Sequence, residues 1–126
     1  MLKEFKCDQL IVKIFKTRDE LGKYAANEMA ETLVSLLGRK DYVNVIFAAA
    51  PSQNEFLAHL TQIKNIDWSR VNAFHMDEYV NLPEEAPQKF GNFLKDKIFD
   101  KVPFKSINYI DGNAADLSFE CQRYSK

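Results

Sequence analysis

Residues that bind metals or carry redox chemistry are scarce: the 126-residue chain has two cysteines and two histidines. Cys7 and Cys121 lie far apart without a CxxC spacing, and adding His59 and His75 gives no set of ligands with metal-site spacing. No metal and no organic cofactor is expected. Glycine and proline number four each, and the chain has no Walker loop, nucleophile elbow or complete GxGxxG. Neither sign of charge dominates, since 17 basic and 18 acidic residues leave a net charge of −1. That balance argues against non-specific binding to nucleic acid or to an anionic membrane surface. No apolar run approaches bilayer length, and the start MLKEFKCDQLIVKIF lacks the plan of a signal peptide. A soluble protein of the reducing cytoplasm is expected.

What the chain does have is a core-sized supply of apolar residues, 46% of the total, enough for one domain. LIVKIF at 10–15 predicts a strand, and Thr17-Arg18-Asp19-Glu20 matches the S/T-x-x-E capping box that opens a helix. Leu21, Tyr24, Ala25, Met29, Leu33 and Leu36 recur at helical spacing, and Gly38 supplies a stop signal. YVNVIFAAA at 42–50 is nearly continuously apolar and predicts a strand buried on both faces. Pro51 and Ser52 then start a helix with Phe56, Leu57, Leu60 and Ile63 on its buried stripe. VNAFHM at 71–76 predicts a third strand; Phe90, Phe93, Leu94 and Ile98 a helix; NYI at 108–110 a fourth strand; and Leu117, Phe119, Cys121 and Tyr124 a last helix. This β-α alternation predicts a three-layer α/β fold, a mostly parallel sheet with helices on both faces. The helical pattern runs to Ser125-Lys126 without a cap, so residues 1–126 are expected to be the N-terminal part of a single, incomplete domain. Truncating a parallel sheet exposes apolar surface, so association into a homo-oligomer is expected.

In open α/β sheets ligands bind outside the carboxyl ends of the strands. Two segments fall at such ends, AAAPSQ at 48–53 and MDEY at 76–79. The first reads as an anion site, with small alanines admitting a ligand to the amides of Ser52, Gln53 and Asn54 at a helix N-terminus; tight packing between strand and helix is the reading that the residues alone favour. In the second, adjacent strand side chains point to opposite faces, so Asp77 and Glu78 divide between the crevice and a structural partner. A carboxylate in a dry cleft is raised towards neutrality and suits proton transfer beside a carbonyl; a surface Asp capping a turn is the alternative. His75 shares the strand face of Asp77, which allows either a His–Asp pair or a core histidine with satisfied hydrogen bonds. His59 shows no partner.

The run MDEYVNLP at 76–83 resembles the MDEYVxLP signature of glucosamine-6-phosphate deaminases. The likeness extends through Pro87, Phe90 and Phe93 to IFDKV, INYIDGNAAD and CQRY, and covers nearly the whole chain from about residue 10. It implies a Rossmann-like fold and conversion of an amino-sugar phosphate to a ketose phosphate plus ammonia without a cofactor. Asp77 matches the acid that shuttles a proton between C2 and C1. Ala49, Ala50, Ser52, Gln53 and Glu78 form the implied substrate-contacting set. Pro51 and Ser52 stand where the family has two glycines and Gln53 where it has a threonine, so a related hexose or amino-sugar phosphate is the expected small-molecule partner. The family's downstream Gly-x-x-Gly-His motif has no counterpart before Lys126, so residues 1–126 alone are expected to be inactive. Two other functions fit the same features: a 6-phosphogluconolactonase-like hydrolase, whose family resembles DER rather than DEY at this point, and a non-catalytic sugar-phosphate-binding protein.

Overall fold

A computed structural model describes residues 1–126. Strands β1 (Lys3–Cys7) and β2 (Leu10–Ile14) precede helix α1 (Arg18–Leu37), strand β3 (Val43–Phe47) and helix α2 (Asn54–Leu60). Strand β4 (Val71–His75), helix α3 (Phe90–Leu94), strand β5 (Ser106–Asn108) and helix α4 (Leu117–Tyr124) complete the order. β3, β4 and β5 form a parallel sheet in that order, with Phe47 level with His75 and Phe74 level with Asn108. The α/β architecture read from the alternation is therefore present.

The first strand is a correction. Residues 10–14 do not join the parallel sheet; they pair antiparallel with β1, a strand absent from the sequence reading. KEFKC has one large apolar residue among three charges, and every residue of it is exposed, so no buried face wrote a periodicity into it. The connection turns through Asp8, whose φ of 52° lies in the left-handed region that Asp tolerates.

α1 begins as expected: Thr17 Oγ1 accepts the Glu20 N–H at 3.1 Å, and the Glu20 carboxylate accepts the Lys16 N–H at 3.2 Å. Its buried face is Gly22, Ala26, Ala30, Leu33 and Leu37, whereas Leu21 is exposed. The anticipated stripe is thus rotated by a residue, with Leu33 alone fully buried in both. The cause is α2, which passes so close that a Cβ on Gly22 would lie 2.7 Å from Glu55 Cβ and 2.8 Å from Phe56 N. Close helix contact selects the smallest side chains rather than the most apolar. Gly38 ends the helix with φ −70°, not in the left-handed region. Arg70 also closes this end, donating to the carbonyls of Leu37, Lys40 and Asp41 at 2.6–2.9 Å.

β3 is buried on one face only, a second correction: it is a sheet edge, and Ile46 is 69% exposed. Val43, Val45, Phe47, Val71, Ala73 and Ile107 point towards α1, α2 and the π-helical turn Lys95–Phe99 that continues α3. Leu57, Leu60, Leu94 and Ile98 fill that layer at 0–1% exposure. On the opposite face Tyr124 of α4 packs against Phe74, with ring centres 5.8 Å apart. The fourth strand falls at 106–108 rather than 108–110, because side chains take the later peptide groups: the Tyr109 carbonyl accepts from Arg123 and the Ile110 N–H donates to His75. No helix is long and apolar enough to cross a membrane.

Glu120 anchors α4. It is 6% exposed, accepts the Asp111 N–H at 2.8 Å, and is paired with Arg123. The Arg123 hydrogen bond, with the Asp111 amide second, lowers its pKa from 4.5 to about 2. The native state thus holds this carboxylate ionised where the unfolded chain would protonate it. Its stabilising contribution is complete above pH 4.5 and disappears as pH falls towards about 2. Acid titration of stability is expected to flatten across that window in Glu120→Gln, as read by urea midpoints at successive pH values.

Candidate functional site at the carboxyl ends of the parallel strands

β3 and β4 are adjacent and parallel, so the segments that follow them leave from the same edge of the sheet. Ala49 and Ala50 are half-buried, with Ala49 packed on the core. Pro51–Gln53 form one 3-10 turn leading into α2. That turn corrects the anion-site reading. The Gln53 N–H donates to the Ala50 carbonyl at 2.8 Å and the Asn54 N–H to the Pro51 carbonyl, so two of the three amides taken as free are occupied. Ser52 and Gln53 instead line a cavity of about 520 Å³ between the starts of α1 and α2, with Arg18, Gly22, Glu55 and Phe56. Arg18 spans it, donating to the Pro51 carbonyl and to Glu55 at 2.9 Å each. The same guanidinium holds the Glu55 carboxyl below its ordinary range.

β4 ends at His75, so Asp77 and Glu78 both lie beyond the strand and strand alternation no longer governs them. The acids divide nonetheless. Glu78 accepts the N–H groups of Tyr79 (2.9 Å), Phe90 (2.8 Å) and Gly91 (2.9 Å), and so pins the segment to the first turn of α3. Those bonds give Glu78 a structural task, with three of the roughly four acceptor sites of its carboxylate taken by amides. Asp77 is exposed at the edge of the sheet, so residues 1–126 do not supply the dry cleft expected around it. The hydrogen bond that holds this residue runs to its backbone carbonyl, leaving the carboxylate available.

His75 makes no pair with the Asp77 carboxylate. It is 1% exposed; Nδ1 is 2.9 Å from the Asp77 carbonyl, and Nε2 is 2.9 Å from the Ile110 nitrogen. An amide can only donate, so Nε2 accepts and Nδ1 carries the proton. The core-histidine reading holds. Tyr124 Oη bonds the His75 backbone at both N–H and C=O, fastening α4 to the same strand end. His59 also has a partner: Nε2 lies 2.8 Å from Asp19 Oδ1 across the α1–α2 contact.

The segment 111–114 locks the acidic loop from the other side. Gly112 C=O accepts the Asn81 N–H at 3.1 Å, and Asn113 Nδ2 donates to the Leu82 carbonyl (2.8 Å) and to Glu84 (2.9 Å). MDEYVNLP and DGNA, separate in sequence, are thus two halves of one interlocked structure. Sequence reasoning missed Arg18, hidden inside a capping box, and the clamp formed by His75; neither pairing has a local signal.

No family model matches the chain. It is 32% identical over 117 residues to a glucosamine-6-phosphate deaminase of Yersinia enterocolitica, a match covering 88% of the chain and 44% of the relative. It is 31% identical over 113 residues to the enzyme of that name from Yersinia pestis strain Pestoides F, covering 85% and 42%. Among solved structures, a monomeric glucosamine-6-phosphate deaminase superposes with a TM-score of 0.72 at 26% identity, over 87% of this chain and 46% of that one. A 6-phosphogluconolactonase from Thermotoga maritima gives a TM-score of 0.72 at 20% identity, over 82% and 47%, a likeness of fold. The chain spans less than half the length of the relatives it matches.

Proposed function

We propose, from its likeness to glucosamine-6-phosphate deaminases over 88% of its length, that the chain forms the N-terminal part of a cytoplasmic amino-sugar-phosphate isomerase/deaminase. In this reading Asp77 is the proton shuttle. Its carboxylate removes the proton from C2 of the opened sugar and returns it to C1, while the C1 carbonyl oxygen gains the proton that the C2 amine gives up, leaving a C1 alcohol and a C2 imine. Water then hydrolyses the imine, releasing ammonia and leaving a ketose phosphate. The observation that carries the reading is the placing of Asp77. It lies two residues past the central strand of a parallel sheet, at the strand ends from which the β3–α2 turn also leaves, with Glu78 and Gly112 fixing the loop that bears it. A base placed against a carbon acid is what such a step needs.

Ser52, Gln53 and the small residues Ala49 and Ala50 border the same edge and are proposed to meet the phosphate end of the substrate, with the Ser52 hydroxyl as donor. Residues 1–126 alone are proposed to be inactive, since they span 44% of the length of the Yersinia enterocolitica deaminase and hold no counterpart of the ring-opening histidine that the resemblance implies. Fold likeness to lactonases keeps lactone hydrolysis as the competing reaction. Incubating the full-length protein with hexosamine phosphates and with phosphogluconolactone separates the two. Ammonia release is expected from the first; acid release from the lactone with no ammonia from any amino sugar would overturn the proposal.

A further inference from the structure

The β1–β2 hairpin stands apart from the parallel sheet. It is tied to the body through the end of β2 and the residue after it, where Lys13 Nζ reaches Tyr24 Oη and Glu28 at 2.6 Å each and Phe15 packs on Tyr24. β1 is exposed along its whole length and pairs with β2 alone, so its outer edge carries unpaired backbone groups. The register places Phe5, Cys7, Leu10, Val12 and Ile14 on one face, and Phe5, Leu10 and Ile14 are 41%, 65% and 42% exposed. A two-stranded ribbon is marginal in water, and an open edge is a template for another strand.

We propose that this edge pairs with a second copy of the chain, β1 against β1 antiparallel, about a twofold axis through Phe5. Lys3-Glu4-Phe5-Lys6-Cys7 is complementary to itself in that register. Glu4 faces the partner's Lys6, Lys6 faces the partner's Glu4, and the two Phe5 side chains meet on the axis. Slipping by two residues sets Glu4 against Glu4 or Lys6 against Lys6. Slipping by one sets Lys3 against Lys6, or leaves Lys6 facing Phe5. Parallel pairing in register sets like on like throughout. Edge-strand charges normally deter association; here only the register centred on Phe5 sets each Glu4 against a Lys6. Pairing produces a four-stranded antiparallel sheet and makes one apolar stripe from two, which suits an isologous dimer. The contact is small, so the dimer is a concentration-dependent one.

The proposal is independent of the crevice chemistry, and its test reads mass, not turnover. Sedimentation of the full-length protein over a concentration series is expected to show a monomer–dimer equilibrium. Glu4→Lys and Lys6→Glu should each weaken association by about tenfold or more, and combining the two should restore it, because the charges are then exchanged rather than opposed. In a Cys7→Ser, Cys121→Ser background, Phe5→Cys should give a disulfide-linked dimer on oxidation, and Ile11→Cys should not. These positions are exposed, so the substitutions do not threaten the core. A protein monomeric at every concentration, or a dimer indifferent to Glu4→Lys, overturns the proposal.

Discussion

Asp77→Asn in the full-length protein is expected to lower kcat by about 10²- to 10⁴-fold, the range for loss of a positioned general base. Asparagine matches aspartate in shape but cannot accept the C2 proton. The fold should not register the change, since Asp77 contributes its carbonyl to the His75 hydrogen bond and its side chain is exposed. Thermal midpoint and substrate KM are therefore expected to stay near those of the parent while ammonia release falls. A rate unchanged within twofold would remove Asp77 from the chemistry, and a rate lost together with the melting transition would reassign it to structure.

Gly112→Ala should damage the molecule in a different way. The objection is not backbone conformation, because no glycine has a positive φ. It is space: a Cβ there would lie 2.0 Å from the Tyr79 carbonyl oxygen, 3.1 Å from its carbon and 3.2 Å from Glu78 Cγ. The first two are backbone atoms and cannot rotate away, so the acidic loop itself must move. A destabilisation of about 3 kcal/mol is expected, the upper part of the overpacking range. Gly38→Ala is the matched control, since its added Cβ would approach nothing closer than 3.4 Å. Urea denaturation of the two variants checks this. Equal stability would show that the DGNA–MDEY contact is looser than the structure indicates. Gly112→Ala should also lose activity with Asp77 intact, through displacement of the loop that carries it.

The α/β alternation was legible because buried strands and helices write distinct periods into sequence. Leu57, Leu60, Leu94 and Ile98 all fall where helical spacing put them. Illegible features were those decided by a partner distant in sequence. Gly22 and Ala26 face α2 because of close approach, which hydrophobicity does not encode. β1 has no buried face, so nothing marked it as a strand. Two of the three amides expected to be free in the 51–54 turn, those of Gln53 and Asn54, are taken by hydrogen bonds that residue type does not reveal. At the site, a structural partner for one of the two acids was anticipated, but its identity, the start of α3 held by Glu78, was not.

His75 has a consequence for motion. One imidazole bonds the backbone of the acidic loop through one nitrogen and the backbone leaving β5 through the other, from a fully buried position. Loop 76–79 and residues 110–112 thus share one buried anchor, and replacing His75 is expected to release both at once.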